Sequence, residues 1–185
     1  MFTFEKPKPV ICKLRNSTQF LVKSRGDIHV LKEIATYDHY GRFLSRLKNN
    51  AVVVDIGAHI GVFSILAAQR IRGAKVFSFE PLPENFSLLK ANIDLNALSD
   101  RVFPFQLAVS GRRGLRRLHF FSERTGSSFF PIPGQRQTDQ FDVHSLTLAD
   151  IFEKNHISRC DFLKIDCEGS ESEIIFHTPR PILNG

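Results

Sequence analysis

Cysteine is scarce in this chain of 185 residues: Cys12, Cys160 and Cys167 are an odd number without metal-ligand spacing. That excludes a disulfide framework and reads as reduced thiols in a cytoplasmic protein. No apolar run approaches the ~20 residues that cross a bilayer. Met1 to Val10 carries charge and two prolines with no hydrophobic stretch behind it, so a secretory leader is not expected there. The sequence has no internal repeat, no low-complexity tract and no zinc-finger, RNA-recognition or helix-turn-helix pattern. Acidic charge is also short. Residues 1–50 hold ten Lys/Arg against four Asp/Glu, a surplus of six that equals the net charge of +6, while residues 51–185 hold fifteen of each. Residues 1–50 therefore read as a basic extension packing on a core of residues 51–185. Without a nucleic-acid motif the surplus reads as solvated surface or as attraction for an anionic acceptor, and nucleic acid is not an expected partner. What remains, 42% hydrophobic and 24% charged residues, is the composition of one globular domain.

The apolar runs give the fold class. Pro9–Leu14 and Gln19–Lys23 are short and β-prone, and Leu31–Leu47 has one apolar face of helical spacing. Ala51 to Ile56 is β-branched and apolar without alternation, as in a strand buried on both faces of a parallel sheet. Helix Val62–Ile71, strand Lys75–Phe79, helix Glu84–Leu95 and strand Val102–Val109 follow. This β-α-β-α-β order predicts an α/β, Rossmann-like, doubly wound and mostly parallel sheet. Residues 110–148 are glycine-punctuated and predict a β-rich excursion with runs at Leu115–Phe121, Ser128–Ile132 and Phe141–Leu146. A short helix at Ala149–Asn155 with Thr147 as its cap, a buried strand at Asp161–Asp166, and a helix from Ser170 to before Pro179 complete the reading.

Two features at strand ends carry chemistry. Asp55-Ile56-Gly57-Ala58-His59-Ile60-Gly61 is a D-x-G-x-x-x-G turn from strand to helix. Glycine admits positive φ and lets a ligand approach bare backbone. A dinucleotide site wants G-x-G-x-x-G, and here His59 occupies its second glycine. The turn suits S-adenosylmethionine, which has no phosphate, with Asp55 organising its ammonium group. A ligand-free β-α turn would use the same glycines. Glu80 stands 23 positions after Gly57, at the end of the next strand. A carboxylate there can accept hydrogen bonds from both ribose hydroxyls. Leu107 and Ala108, at the third strand's end, are expected beside the adenine. At the fourth strand's end, Asp166 is the first candidate to take a proton from an acceptor hydroxyl and Glu168 the second, with His59 a third. Asp166, Glu168 and Glu171 holding a divalent cation is the alternative, though no metal is expected.

Val53-Val54-Asp55-Ile56-Gly57-Ala58-His59-Ile60-Gly61, Phe79-Glu80-Pro81-Leu82-Pro83-Glu84-Asn85, Ala108-Val109-Ser110, Leu146-Thr147-Leu148-Ala149-Asp150 and Leu163-Lys164-Ile165-Asp166-Cys167-Glu168-Gly169-Ser170-Glu171 occur in an order that resembles the FkbM family of methyltransferases, over roughly residues 25–176. The resemblance implies a class I methyltransferase fold, S-adenosyl-L-methionine as cofactor, and methyl transfer to a hydroxyl of a sugar, lipid or natural product. It makes Asp55, Gly57 and Gly61 the cofactor turn, Glu80 the ribose acid and Asp166 the acidic strand end. Such sheets usually have seven strands, and only four of the core set are placed, so a chain truncated at its C-terminus is expected. The fourth strand's free edge then calls for cover by the N-terminal strands, a second copy or a partner chain. A non-catalytic module binding a partner through that edge, and an NAD-dependent oxidoreductase, are the rival readings.

Overall fold

The computed structural model describes residues 8–121, 127–128, 137–167 and 169–183. Strands β1 (Val10–Lys13) and β2 (Gln19–Val22) form an antiparallel hairpin. Helix α1 (Arg25–Thr36) begins with a capping box: Asp27 N–H donates to the Ser24 side chain, and Ser24 N–H donates to the Asp27 carboxylate. The helix expected over Leu31–Leu47 is broken. Asp38 adopts a φ of 50° and pairs with Arg70, and α2 (Gly41–Leu44) starts only after it. Aspartate tolerates this left-handed geometry better than most residues, so the apolar periodicity survives while the helix does not.

Strand β3 (Val52–Ile56), helix α3 (Val62–Arg70), strand β4 (Lys75–Phe79), helix α4 (Pro83–Leu95) and strand β5 (Val102–Phe105) alternate as the periodicity predicts. The strand expected over Val102–Val109 divides in two. Leu107 N–H turns back to the Phe105 carbonyl at 3.0 Å, and β6 (Ala108–Val109) enters a different sheet. Strands β7 (Gly114–Phe121), β8 (Ser127–Ser128) and β9 (Gln137–Leu146) follow. Beyond Ser128, the run predicted to Ile132 lies outside the described residues. Helix α5 (Leu148–Lys154) is capped by Thr147 in a second capping box, with Asp150. Strand β10 (Phe162–Ile165), α6 (Glu171–His177) and α7 (Arg180–Leu183) complete the described chain.

The main sheet is parallel in the order β10-β3-β4-β5. The chain winds outward from β3 to β5 and then returns to place β10 on β3's other side. The order thus reverses between β3 and β10, where open α/β sheets hold ligands. One face, with Val53, Val76 and Val102, packs on Phe63, Ile65 and Leu66 of α3 and Leu88 and Leu89 of α4. The other, with Val54, Ile56 and Phe79, packs on Leu148 and Ile151 of α5 and Ile174 of α6. Burial on both faces is why these strands lack alternation. The second sheet runs β6-β9-β7-β8, with a long antiparallel β7–β9 pair.

The β1–β2 hairpin lies against α4. Asn92 and Asn96, one turn apart, each exchange two hydrogen bonds with the β2 backbone, at Leu21 and Gln19 respectively. Their amides stand in for a neighbouring strand. The hairpin is therefore not the cover for β10, which has a strand neighbour on one side only among the described residues. Also among the described residues, no helix is long and apolar enough to cross a membrane.

Candidate functional site

The β3–α3 turn is closed by its own hydrogen bonds. Gly57 and Ala58 N–H both donate to the Phe79 carbonyl at 3.0 Å, Gly61 N–H to the Ala58 carbonyl at 2.8 Å, and His59 N–H to Glu80 Oε2 at 2.9 Å. Gly57 has a φ of 77°, and a Cβ there would collide with the carbonyl oxygen of Asp166. No side chain fits between the turn and the end of β10. Gly61, with a φ of 86°, caps α3 and presses on Leu89, behind the crevice rather than in its lining. A diphosphate is held by free backbone N–H groups at such a turn. Here four of them already have acceptors.

Glu80 stands at the tip of β4 in the crevice wall and is 5% exposed. Its Oε1 accepts from Leu82 N–H at 3.0 Å and, at a longer 3.4 Å, from the Asn85 amide. A carboxylate has about four lone-pair directions. The two short backbone bonds occupy two of them, which leaves room for two hydroxyl donors if the Asn85 contact yields. Burial pushes the Glu80 carboxyl up to about 7, against the pull of the hydrogen bonds from Leu82, His59 and Asn85. The group thus changes charge near neutrality.

Asp55 is fully buried and absent from the crevice lining. Its Oδ2 accepts from Ser64 Oγ at 2.6 Å, Ser64 is linked to Ser78 Oγ at 2.7 Å, and its Oδ1 faces Lys164 Nζ at 3.1 Å. Lys164 sits directly opposite Asp55 in the β10–β3 ladder and does line the crevice. Its ammonium also reaches the Gly57 carbonyl at 3.3 Å and Asp166 Oδ2 at 3.4 Å. Burial opposes the charge on Lys164, but Asp55 and Asp166 outweigh it and raise its pKa. Asp166 is the outer member, 58% exposed in its side chain and part of the lining.

The remaining lining comes from three directions. Leu107, Ala108 and Val109 close the β5–β6 side together with Leu82 and Leu118, and Val30 and Ile34 of α1 face the crevice from the N-terminal region. His59 lines it as well, with a φ of 51° and Nε2 3.5 Å from Asp27 Oδ1. Burial lowers the His59 pKa, with Asp27 opposing. Of the residues singled out from sequence, the crevice thus gathers Gly57, His59, Glu80, Leu107, Ala108 and Asp166, while Asp55 and Gly61 stand behind it. Glu168 lies outside the described residues. Glu171 turns inward on its own loop, accepting from Cys167 and Gly169 N–H at 2.9 and 2.8 Å. Burial pushes the Cys160 and Cys167 thiols up to about 11 and about 12, so neither is an activated nucleophile. Lys164, Asn85, Leu118, Val30 and Ile34 also line the crevice, beyond the candidates that the sequence nominates. Only Lys164 left a signal, a lone charge inside an otherwise apolar strand.

A reversing parallel sheet with a carboxylate-bearing crevice at its strand tips defines a doubly wound α/β protein of the Rossmann-like class. A model of the methyltransferase FkbM domain matches residues 55–183, and the chain belongs to that family. It is similar to the methyltransferase sdnD of Sordaria araneosa, at 28% identity over 79% of this chain and 66% of that protein. It is also similar to the 31-O-demethyl-FK506 methyltransferase FkbM of Streptomyces tacrolimicus, at 29% identity over 88% of this chain and 73% of that protein. The hexuronic acid methyltransferase AglP of Haloferax volcanii is 23% identical over 90% of this chain and 67% of that protein. The chain thus spans about two thirds of the length of these relatives.

Proposed function

We propose that the crevice binds S-adenosyl-L-methionine and that the chain transfers its methyl group to a hydroxyl of a sugar, lipid or natural-product acceptor. The observation that carries the reading is Glu80, which keeps two lone-pair directions for ribose hydroxyls beside a turn with no N–H to spare at Gly57, Ala58, His59 or Gly61. That combination fits a nucleoside without phosphate and argues against a dinucleotide. One relative is named for 31-O-demethyl-FK506 and another for a hexuronic acid, a natural product and a sugar acid.

When bound, the cofactor supplies a methyl group on a sulfonium, ready for in-line displacement. The chain's own residues then align, enclose and move a proton. Glu80 would hold the sugar, and Leu107, Ala108 and Leu118 would flank the base. A hydroxyl attacks well only as its proton leaves. Asp166, exposed at the tip of β10, takes that proton or orients the hydroxyl, and Glu168 is the second candidate. Calorimetric titration with S-adenosylhomocysteine tests the reading. Micromolar binding is expected, and Glu80→Ala should abolish it. Wild-type protein that binds nothing, or that binds NADH instead, defeats it.

A further inference from the structure

The geometry points to Lys164 as the group that recognises the amino-acid end of the cofactor, with Asp55 acting through it as a positioning residue. The inference rests on the proposed cofactor and concerns which side chain meets its third end. The strand order β10-β3-β4-β5 lays the ligand out in sequence. The base belongs beside Leu107 and Leu118 past β5, and the sugar at Glu80 on β4. The amino-acid end therefore extends over β3 toward β10. There the crevice offers Gly57, Lys164, Asp166 and Cys167, with Val30 and Ile34 opposite. Asp55, the acid that the turn motif nominates, is shut off from that space by Lys164 and Ser64.

A lysine is almost never this buried unless paired. The Lys164 side chain is 4% exposed, yet its ammonium borders the crevice. It has three N–H groups. Its shortest contact, 3.1 Å, is to Asp55, whose other oxygen is pinned by the Ser64–Ser78 pair. Its longest, 3.4 Å, is to Asp166, whose side chain is 58% exposed. With Asp55 and the Gly57 carbonyl holding the other two contacts, an incoming α-carboxylate would take the N–H that now faces Asp166. A charge fixed in advance binds with little reorganisation.

The test compares S-adenosylhomocysteine with 5′-methylthioadenosine, which keeps the nucleoside and the thioether but lacks the amino-acid end. Lys164→Met should weaken S-adenosylhomocysteine at least tenfold (~1.4 kcal/mol) and leave methylthioadenosine within about twofold. Because that variant leaves Asp55 buried without a counter-charge, Asp55→Asn/Lys164→Met is the companion, and the same split is expected of it. Glu80→Ala should instead weaken both ligands alike. Parallel loss of both ligands in the Lys164 variants overturns the assignment, as does unchanged S-adenosylhomocysteine affinity. Wild-type protein that binds neither ligand removes the proposed cofactor itself, and the assignment with it.

Discussion

In the parallel sheet Asp55 and Lys164 lie inside, and in the second sheet Arg117 and Asp142 lie outside. Asp55, Lys164 and Glu80 are each no more than 5% exposed. Each is tied to backbone or to a polar neighbour at the strand tips. Across the β7–β9 pair, Arg117 and Asp142 meet at 2.9 Å with side chains 55% and 45% exposed. Among the described residues the interior on that side is built on Ala108, Leu118 and Val143 with Leu82 against it. Helices on both faces give the parallel sheet a low-dielectric interior where a buried pair is costly to form and costlier to break. The Arg117–Asp142 pair is open enough to be screened, whereas Arg116 on the same strand meets Glu173 at 2.7 Å largely out of solvent. The buried Asp55–Lys164 pair therefore borders the crevice, and the exposed Arg117–Asp142 pair lies on the surface.

Three substitutions press on that contrast. Gly57→Ala should have the largest effect, since the new methyl meets the Asp166 carbonyl in a backbone conformation that side chains disfavour. The expected loss is about 4 kcal/mol, seen as a fall of roughly 10 °C in the melting temperature together with loss of S-adenosylhomocysteine binding. A small shift would mean that the turn is looser than its packing implies. The Glu80 effect should be intermediate and dependent on pH. Its folded-state carboxyl lies at about 7, above its ordinary value of 4.5. The native state therefore holds the proton more tightly than the unfolded chain. The stability this contributes is complete below about pH 4.5 and lost as the pH rises through about 7, on the order of 3 kcal/mol. Denaturant titrations of wild type and Glu80→Gln should diverge over that window, and parallel curves would refute the shift. Ribose hydroxyls need the ionised form, so S-adenosylhomocysteine should bind about tenfold more tightly at pH 8 than at pH 6. Smallest of all, Arg117→Ala should leave both the melting temperature and the cofactor affinity where they are. A clear drop would show that the antiparallel sheet depends on its exposed pairs after all.

Much of the parallel half is legible in the residues. Val52, Val53 and Val54 announce a strand covered on both faces, the glycines mark the turn, and Thr147 with Asp150 marks a helix start. Local chemistry decides such features. The breaks at Asp38 and after Phe105 are less visible, because an ion pair to Arg70 and a one-residue reversal redirect runs whose apolar spacing continues. The position of Asp55 behind Lys164 is harder still. It depends on the register of two strands far apart in sequence, which no motif spacing encodes. Leu118, Val30 and Ile34 reach the crevice only through tertiary folding, from elements whose own patterns say nothing about a ligand.

Helix α1 lies upstream of the segment that the family model matches, yet Val30 and Ile34 wall the crevice. The conserved-domain boundary therefore cuts through the site rather than around it. An expression clone beginning at Ala51 would keep the strand tips and discard one wall of the crevice. Exchange of α1 between relatives would reshape that wall and leave Glu80, Lys164 and Asp166 at the strand tips in place.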